Sequence, residues 1–391
     1  MFTLIEIFDS KQYENIISSV YSDGISKIIY IGTEDTMTKE KIRNIRNFFK
    51  NLNYGVPLEF FQVERDNTDS VISVLESILE SNRNCILDVT GGEDVLLVSA
   101  GIVAQKHSLP IIRTDAKSGQ FSVLHGNADN FKQKKTNLEI SDFITLQGGK
   151  IRSLQHIKGF SKSDEDDIKS LFLVNSADCE AYSIFCNFVS EFVSVDKSVI
   201  CFKENEIKKK NEHLIKAITN TLELLFKYSL LEKQSSDSDY LCFRIKSKII
   251  SVCLKKSGNL LEYYTALALT KIKDLFDDIC VGTTIEWNDN NIRSETQNEI
   301  DVLAVSSNIP VFISCKNGDV KKESLYELDT VSRNLGGAYS KKILVCTHIS
   351  NNLSSRTHFI KRARDMGIRL IYDTHKNSFT EFMNYLRNSV K

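Results

Sequence analysis

Short apolar runs alternate with stretches of helical periodicity through the first 150 residues. Phe2 to Phe8 predicts a strand, and Asp9 or Ser10 is placed to cap a helix running through Ile16, Ile17 and Val20. Lys27 to Ile31 predicts a second strand, followed by a helix from about Thr38 to Leu52. A strand from Leu58 to Val63 and a helix from Thr68 to Glu80 come next. Cys85 to Val89 is nearly all apolar, the pattern of a strand buried on both faces, and an apolar helix is predicted from Val95 to Lys106. Pro110 to Thr114 and Phe121 to His125 predict a terminal hairpin around Ser118-Gly119. Strands alternating with helices predict an α/β fold built on a doubly wound, mainly parallel sheet.

The pattern changes after residue 150. Lys162 to Asp167 reads as a charged linker, and amphipathic helices are predicted from Cys179 to Val193 and from Leu214 to Tyr228. A polar tip from Gln234 to Asp239 and a strand from Tyr240 to Ile245 complete a winged-helix-like module over residues 151–257. The run Lys208-Lys209-Lys210 reads as a solvated face rather than a nucleic-acid contact. A third unit, residues 258–391, begins with an apolar helix from Asn259 through Leu269 and a strand from Ile279 to Trp287. A hairpin follows, with Val302 to Val305 and Val311 to Ile313 as its strands and Ser306 to Pro310 as its turn. Beyond it come a helix from Lys322 to Leu335 that carries Glu327 and Arg333, a strand from Lys342 to Thr347 and a basic helix from Arg356 to Met366. A strand from Ile368 to Tyr372 and a helix from Phe379 to Leu386 close the chain.

Composition narrows the class. The 391 residues, 41% hydrophobic and 26% charged, suit a globular protein of two or three domains. No apolar run reaches membrane-spanning length and Met1 to Glu6 reads as a strand, so no membrane association is expected and the compartment is read as cytoplasmic. The nine cysteines contain no Cys-x-x-Cys pair; Cys85, Cys186, Cys253 and Cys346 read as reduced core residues, and no structural zinc site is expected. Net charge is −1, so a nucleic-acid surface has to be a local patch. Residues 251–391 hold 19 Lys+Arg against 16 Asp+Glu, an excess of three that permits such a partner.

The hairpin carries the sharpest chemical signal. Strand alternation puts Ser314 and Lys316 on one face, and Asp301 opens the facing strand. A carboxylate and a lysine at the mouth of a hairpin suit metal-dependent phosphodiester hydrolysis, with the acid holding a divalent cation and the lysine acting on water or phosphate. With Glu262 on the preceding helix, then Asp301 and Ser314-Cys315-Lys316, the segment resembles the core of PD-(D/E)xK nucleases, of restriction-endonuclease-like fold. The resemblance implies catalytic roles for Glu262, Glu299, Asp301, Ser314 and Lys316, and a Mn²⁺ or Mg²⁺ ion held by Glu262, Asp301 and the carbonyl of Cys315. Ser314 departs from the family, which usually has an acid there; Glu299, on the strand face of Asp301, is the candidate replacement. Spacing alone also allows Glu262 to be a capping-box acid of Asn259.

In the N-terminal unit, three loops fall at strand carboxyl ends, where such sheets bind ligands: Asp9-Ser10, Gly32-Thr33-Glu34-Asp35 and Thr90-Gly91-Gly92-Glu93-Asp94. The last is neither a Walker loop nor a dinucleotide fingerprint, which counts against a housekeeping Rossmann enzyme. Asp88 to Asp94 is similar to the signature loop of CRISPR-associated Rossmann-fold (CARF) domains. That resemblance implies a homodimer whose symmetric cleft binds a cyclic oligoadenylate, with Ser10, Thr33, Thr90, Gly91 and Gly92 at the ligand. Together the two resemblances imply a cyclic tetra-adenylate-activated nuclease of type III CRISPR immunity, cutting single-stranded or supercoiled DNA and, in some members, RNA. The alternative is a ligand-responsive regulator whose nuclease-like domain is inactive because Ser314 lacks a carboxylate.

Overall fold

The alternation at the N-terminus builds a six-stranded sheet. The protein is described by a computed structural model covering residues 1–9, 14–115, 118–129, 131–134, 136–234, 239–287, 297–337 and 339–390. In chain order the first unit contains β1 (Phe2–Ile7), α1 (Glu14–Val20), β2 (Ser22–Asp23), β3 (Ile25–Thr33), α2 (Lys39–Asn51), β4 (Leu58–Val63) and α3 (Thr68–Ser81). It continues through β5 (Cys85–Asp88), α4 (Asp94–His107), β6 (Ile111–Thr114), β7 (Phe121–His125) and β8 (Lys132–Gln133). The sheet order is β4-β3-β1-β5-β6-β7, parallel except for β7, which runs antiparallel to β6. Strand order therefore reverses between β1 and β5, and the crevice beyond their carboxyl ends is where a doubly wound sheet takes ligands. The Asp9 and Thr90 loops leave these two strands.

Next come α5 (Ile140–Leu146), β9 (Gly149–His156), α6 (Lys162–Ala177), α7 (Cys179–Val189), β10 (Val193–Ser194), β11 (Val199–Lys203) and α8 (Glu204–Lys208). They are followed by α9 (Glu212–Lys227), β12 (Leu231–Gln234), β13 (Tyr240–Ile245) and α10 (Lys248–Lys255). An antiparallel sheet of order β10-β11-β13-β12 lies beside α8, α9 and α10. Cys201 and Cys242 face each other across β11 and β13 and are joined as a disulfide, whereas Cys85, Cys186, Cys253 and Cys346 are free and buried.

The segment Lys162 to Asp167 is not a linker. It is the first turn of α6, capped by Ser161, whose Oγ accepts from the Asp164 N–H at 3.1 Å. Acidic residues suit a helix N-terminus, which is why charge density there does not signal an irregular segment. Asp167 is fully buried, 2.7 Å from Lys246 Nζ on the middle module.

The third unit holds α11 (Ser257–Lys271), β14 (Asp278–Trp287), β15 (Gln297–Ser306), β16 (Ile309–Asp319), α12 (Glu323–Gly336) and β17 (Lys341–His348). It ends with α13 (Leu353–Asp365), β18 (Ile368–Ile371) and α14 (Phe379–Val390). The sheet order is β18-β17-β16-β15-β14-β9, so β9 joins a sheet whose other strands lie more than a hundred residues further on. The hairpin turn is tighter than expected. Ser307 and Asn308 alone form it, at φ 48° and 66°, and Pro310 already pairs with Val305. Two left-handed residues match the twist of the flanking strands better than a longer loop does.

Strand alternation sends Leu303 and Phe312 to one face of this sheet and Val302, Val311 and Ile313 to the other. The first face shares a core with Phe8, Tyr30 and Phe48 of the N-terminal unit. The second shares one with Phe172, Phe185, Tyr264 and Phe382. The N-terminal unit therefore packs directly on the C-terminal sheet, and the Tyr21 hydroxyl donates to Oδ1 of Asn308 in the hairpin turn.

Candidate active site

The β15–β16 ladder ends at the Val302–Ile313 pair. Beyond that pair the backbone of β16 turns to a side chain instead of a strand. The Cys315 N–H donates to Asp301 Oδ2 at 2.6 Å, and Ser314 Oγ donates to the same oxygen at 3.1 Å. Ser314 is thus a donor that orients Asp301. Lys316 Nζ lies 3.9 Å from Asp301 Oδ2. The register of β16 against β17 shifts just past Lys316, and the Gly318 N–H (φ 106°) goes to Thr347 Oγ1 at 2.7 Å. Such irregularities re-aim side chains at sites.

Glu262 comes from the helix behind. Leu260, Leu261, Tyr264 and Leu267 bury α11 in the core, and Glu262 is carried inside with them at 5% exposure. Asn259 lies within the helix and its Nδ2 donates to the Val252 carbonyl, so Glu262 is not its capping-box acid. Burial, and then the negative charge of Asp301, pushes the Glu262 carboxyl up to about 8, with Lys256 partly offsetting both. The folded chain holds this proton up to that pH, while an unfolded glutamate releases it near 4.3. Stability is therefore expected to fall as pH rises from about 5 to 8, by on the order of a few kcal/mol. Melting curves in chelator across that range check this, and Glu262→Gln should flatten the slope; an unchanged slope assigns it elsewhere.

Glu299, two residues before Asp301, is exposed and ion-paired to Lys256 Nζ at 3.3 Å. Lys256, Glu262, Glu299, Asp301 and Lys316 line one open cavity of about 750 Å³, together with Glu327 of α12. Asp301, Lys316 and Glu327 also line a neighbouring one of about 300 Å³. Lys256 carries no signal in the sequence, because it is the single residue between α10 and α11 and has no spacing relation to the hairpin. The donor set suits a hard divalent cation. The charge of Asp301 raises the cost of ionising Glu262, and a cation held by both would offset it. The Cys315 carbonyl leaves the same stretch of backbone whose N–H goes to Asp301.

The second site is the crevice at β1 and β5. Asp88 is buried beneath it: its Oδ1 accepts from the Thr90 N–H at 2.7 Å and from the Thr90 hydroxyl, and Thr90 Oγ1 accepts from the Thr114 N–H at 2.7 Å. Burial pushes Asp88 up to about 6. Asp88 thus shapes the loop, and the Thr90 hydroxyl is already engaged on both sides by protein. Thr33 is buried with its hydroxyl 3.0 Å from that of Thr36. Glu93 pairs with Arg65 at 3.5 Å, and Asp94 accepts from the Val95 N–H at 3.0 Å. Gly92 has φ 120°, and a Cβ there would sit 2.4 Å from Ile7 Cγ2. Its glycine is required by the loop's own packing on β1. Gly91 is buried, Gly32 is the last residue but one of β3, Asp9 and Glu34 follow the carboxyl ends of their strands, and Ser10 lies outside the described residues.

A Rossmann-like unit with a switch-point crevice is thus joined to a six-stranded mixed sheet that carries an acid–lysine hairpin. Residues 254–389 match the family described as Card1-like, endonuclease domain. Across its whole length the chain has the fold of protein VC1899 from Vibrio cholerae, with TM-score 0.75 and 17% identity over 99% of this chain and 98% of that one. It likewise resembles Can2 from Sulfobacillus thermosulfidooxidans, solved in complex with cyclic tetra-adenylate, with TM-score 0.68 and 17% identity over 99% and 97% of the two chains. A search of curated protein sequences finds no match. Among the described residues no helix is long and apolar enough to cross a membrane.

Proposed function

We propose that this protein is a cyclic oligoadenylate-activated, metal-dependent endonuclease of type III CRISPR antiviral defence, acting on DNA and taking cyclic tetra-adenylate as its activator. The observation that carries the reading is the convergence of Asp301, Lys316 and buried Glu262 at the open end of a hairpin within a Card1-like endonuclease domain. Residues 1–150 serve as the sensor, 151–257 as the middle module and 258–391 as the nuclease, whose sheet takes in β9 from the first boundary. The cyclic tetra-adenylate held by Can2, a protein of the same fold, supports the choice of activator.

Glu262 and Asp301, with the Cys315 carbonyl, would hold Mn²⁺ or Mg²⁺. When bound, the ion supplies Lewis acidity toward the scissile phosphate and lowers the pKa of water. The chain's own part is positional. Ser314 and the Cys315 N–H hold Asp301 in a fixed rotamer, and Lys316 presents a charge to the phosphate or the attacking water. Lys256 holds Glu299 at the rim.

A ring of repeated nucleotides suits a twofold axis, so the sensor crevices of two copies face each other in a homodimer. Backbone amides at the start of α4 and around Gly91 then offer donors to the ligand's phosphates. The hydroxyls of Thr33 and Thr90 are already bonded within the protein and contribute by holding the loops. The separation of sensor and nuclease along the chain makes the middle module look like the only route between them. The shared core and the Tyr21–Asn308 bond give a direct one. Ser18 and Ser19 of α1 donate to Glu6, buried beneath the crevice, and Tyr21 follows immediately at the hairpin turn.

Incubating supercoiled plasmid with purified protein tests the proposal. Nicking or linearisation is expected only when both cyclic tetra-adenylate and Mn²⁺ or Mg²⁺ are present. Cleavage independent of the ring removes the sensor assignment. Tight ring binding without cleavage of DNA or RNA makes the protein a regulator instead.

A further inference from the structure

A separate cluster lies at the other end of the nuclease sheet. In β14, Asp278 and Cys280 are two residues apart and project to the same side. Across the β9–β14 pairing, Cys280 stands directly opposite His156. Asp278 Oδ1 and His156 Nδ1 are 2.9 Å apart, Cys280 Sγ lies 3.3 Å from His156 Nδ1, and Cys280 Sγ is 4.0 Å from Asp278 Oδ1. Among the described residues this is the one group of His, Cys, Asp and Glu side chains whose donor atoms all lie within 4.8 Å of one another. None of the three takes part in the hydrolytic site around Asp301.

We propose that His156, Asp278 and Cys280 form a transition-metal site, with Zn²⁺ as its ion, that clasps β9 to β14 where the N-terminal unit meets the nuclease sheet. Metal–donor bonds of about 2.0–2.3 Å at tetrahedral angles place donor pairs roughly 3.3–3.6 Å apart. The observed separations bracket that range, so small side-chain adjustments close the site. One imidazole, one thiolate and one carboxylate are a soft-to-borderline set that selects zinc over the hard cations expected at Asp301. The outer support is present as well: the second Asp278 oxygen accepts from the Ile140 N–H at 3.1 Å, which fixes the carboxylate and ties in the start of α5. His156 and Asp278 open onto a cavity of about 400 Å³, also lined by Glu139, Lys158 and Lys273. The cavity provides an entry path and room for a fourth, exogenous ligand. Thiolate and carboxylate balance the ion's charge, and the two lysines favour an anionic fourth ligand. A cysteine-spacing rule does not find this site, because its donors come from strands far apart in sequence and converge only through the β9–β14 register.

Cobalt substitution in the full-length, chelator-treated protein tests this. A thiolate-to-cobalt charge-transfer band in the near ultraviolet should appear with one Co²⁺ per chain and vanish on adding Zn²⁺. The oxygen ligands around Asp301 give no such band, so Asp301→Asn should leave it intact. Cys280→Ala should abolish the band. His156→Ala, at a partly exposed side chain, should weaken Co²⁺ binding by more than the roughly 10–100-fold that loss of an outer partner costs. No sulfur band in the wild type overturns the site. So does a band that survives in Cys280→Ala, or unchanged affinity in a His156→Ala protein with native circular dichroism.

Discussion

Asp301→Asn is expected to abolish nuclease activity, with a loss of at least about 10³-fold, since removal of a single preorganised donor at other reacting centres already costs about 10²–10³. The substitution is close to isosteric. An asparagine oxygen still accepts from the Cys315 N–H and the Ser314 hydroxyl, which hold Asp301 at 2.6 and 3.1 Å. The hairpin therefore keeps its shape, and what disappears is the negative charge. Two further readouts separate loss of charge from loss of fold. Binding of cyclic tetra-adenylate should be unchanged, because the crevice is built from β1 and β5. Glu262 should titrate lower, because the charge of Asp301 is the second cause of its elevation after burial. A fully active Asp301→Asn protein would remove Asp301 from the site.

Lys316→Ala should reduce turnover by roughly 10²–10⁴-fold, the range for a side chain acting on the proton or charge that moves in the transition state. Its effect on DNA affinity should be far smaller. The amine sits 3.9 Å from Asp301 Oδ2 with its side chain about one-third exposed (36%), close enough to the acid to share a substrate phosphate and open enough to reach one. It also borders both cavities that Asp301 lines. Single-turnover rates measured at saturating DNA, beside equilibrium binding in chelator, give the two quantities separately. If affinity falls as far as the rate does, Lys316 positions the phosphate backbone and does not act on the chemical step.

The elements of the two α/β units were legible because their strands are short apolar runs between turn residues and their helices keep period 3.6 with recognisable caps. Thr38 and Asn67, at the starts of two of these helices, accept from the N–H groups of Lys41 and Ser70. The hairpin site was legible for a related reason. Asp301, Ser314 and Lys316 are close in sequence, and strand register alone brings them together. What could not be read depends on long-range packing. The acids of Lys162 to Asp167 look solvated, yet Asp167 is buried against Lys246, nearly eighty residues away. Lys256 reaches Glu299 only once α10 has packed beside the sheet. Thr33 and Thr90 carry hydroxyls of the right kind for a ligand, and only the fold shows those hydroxyls turned inward to Thr36, Asp88 and Thr114.

The membership of β9 in the C-terminal sheet bears on how nuclease modules of this kind can be moved or cut. The stretch that matches the family begins at residue 254, but the strand that completes its sheet is residues 149–156. A fragment starting at 254 would carry β14 as a bare edge, with ladder groups unpaired from Cys280 to Trp287 and the core that Leu303 and Phe312 share with Phe8 and Phe48 opened. Open edges of this sort recruit strands from other chains. The nuclease is therefore not a detachable cassette. A chimaera that exchanges sensors has to bring residues 149–156 with the nuclease, and recombination between such proteins is expected to preserve that strand with its distant sheet.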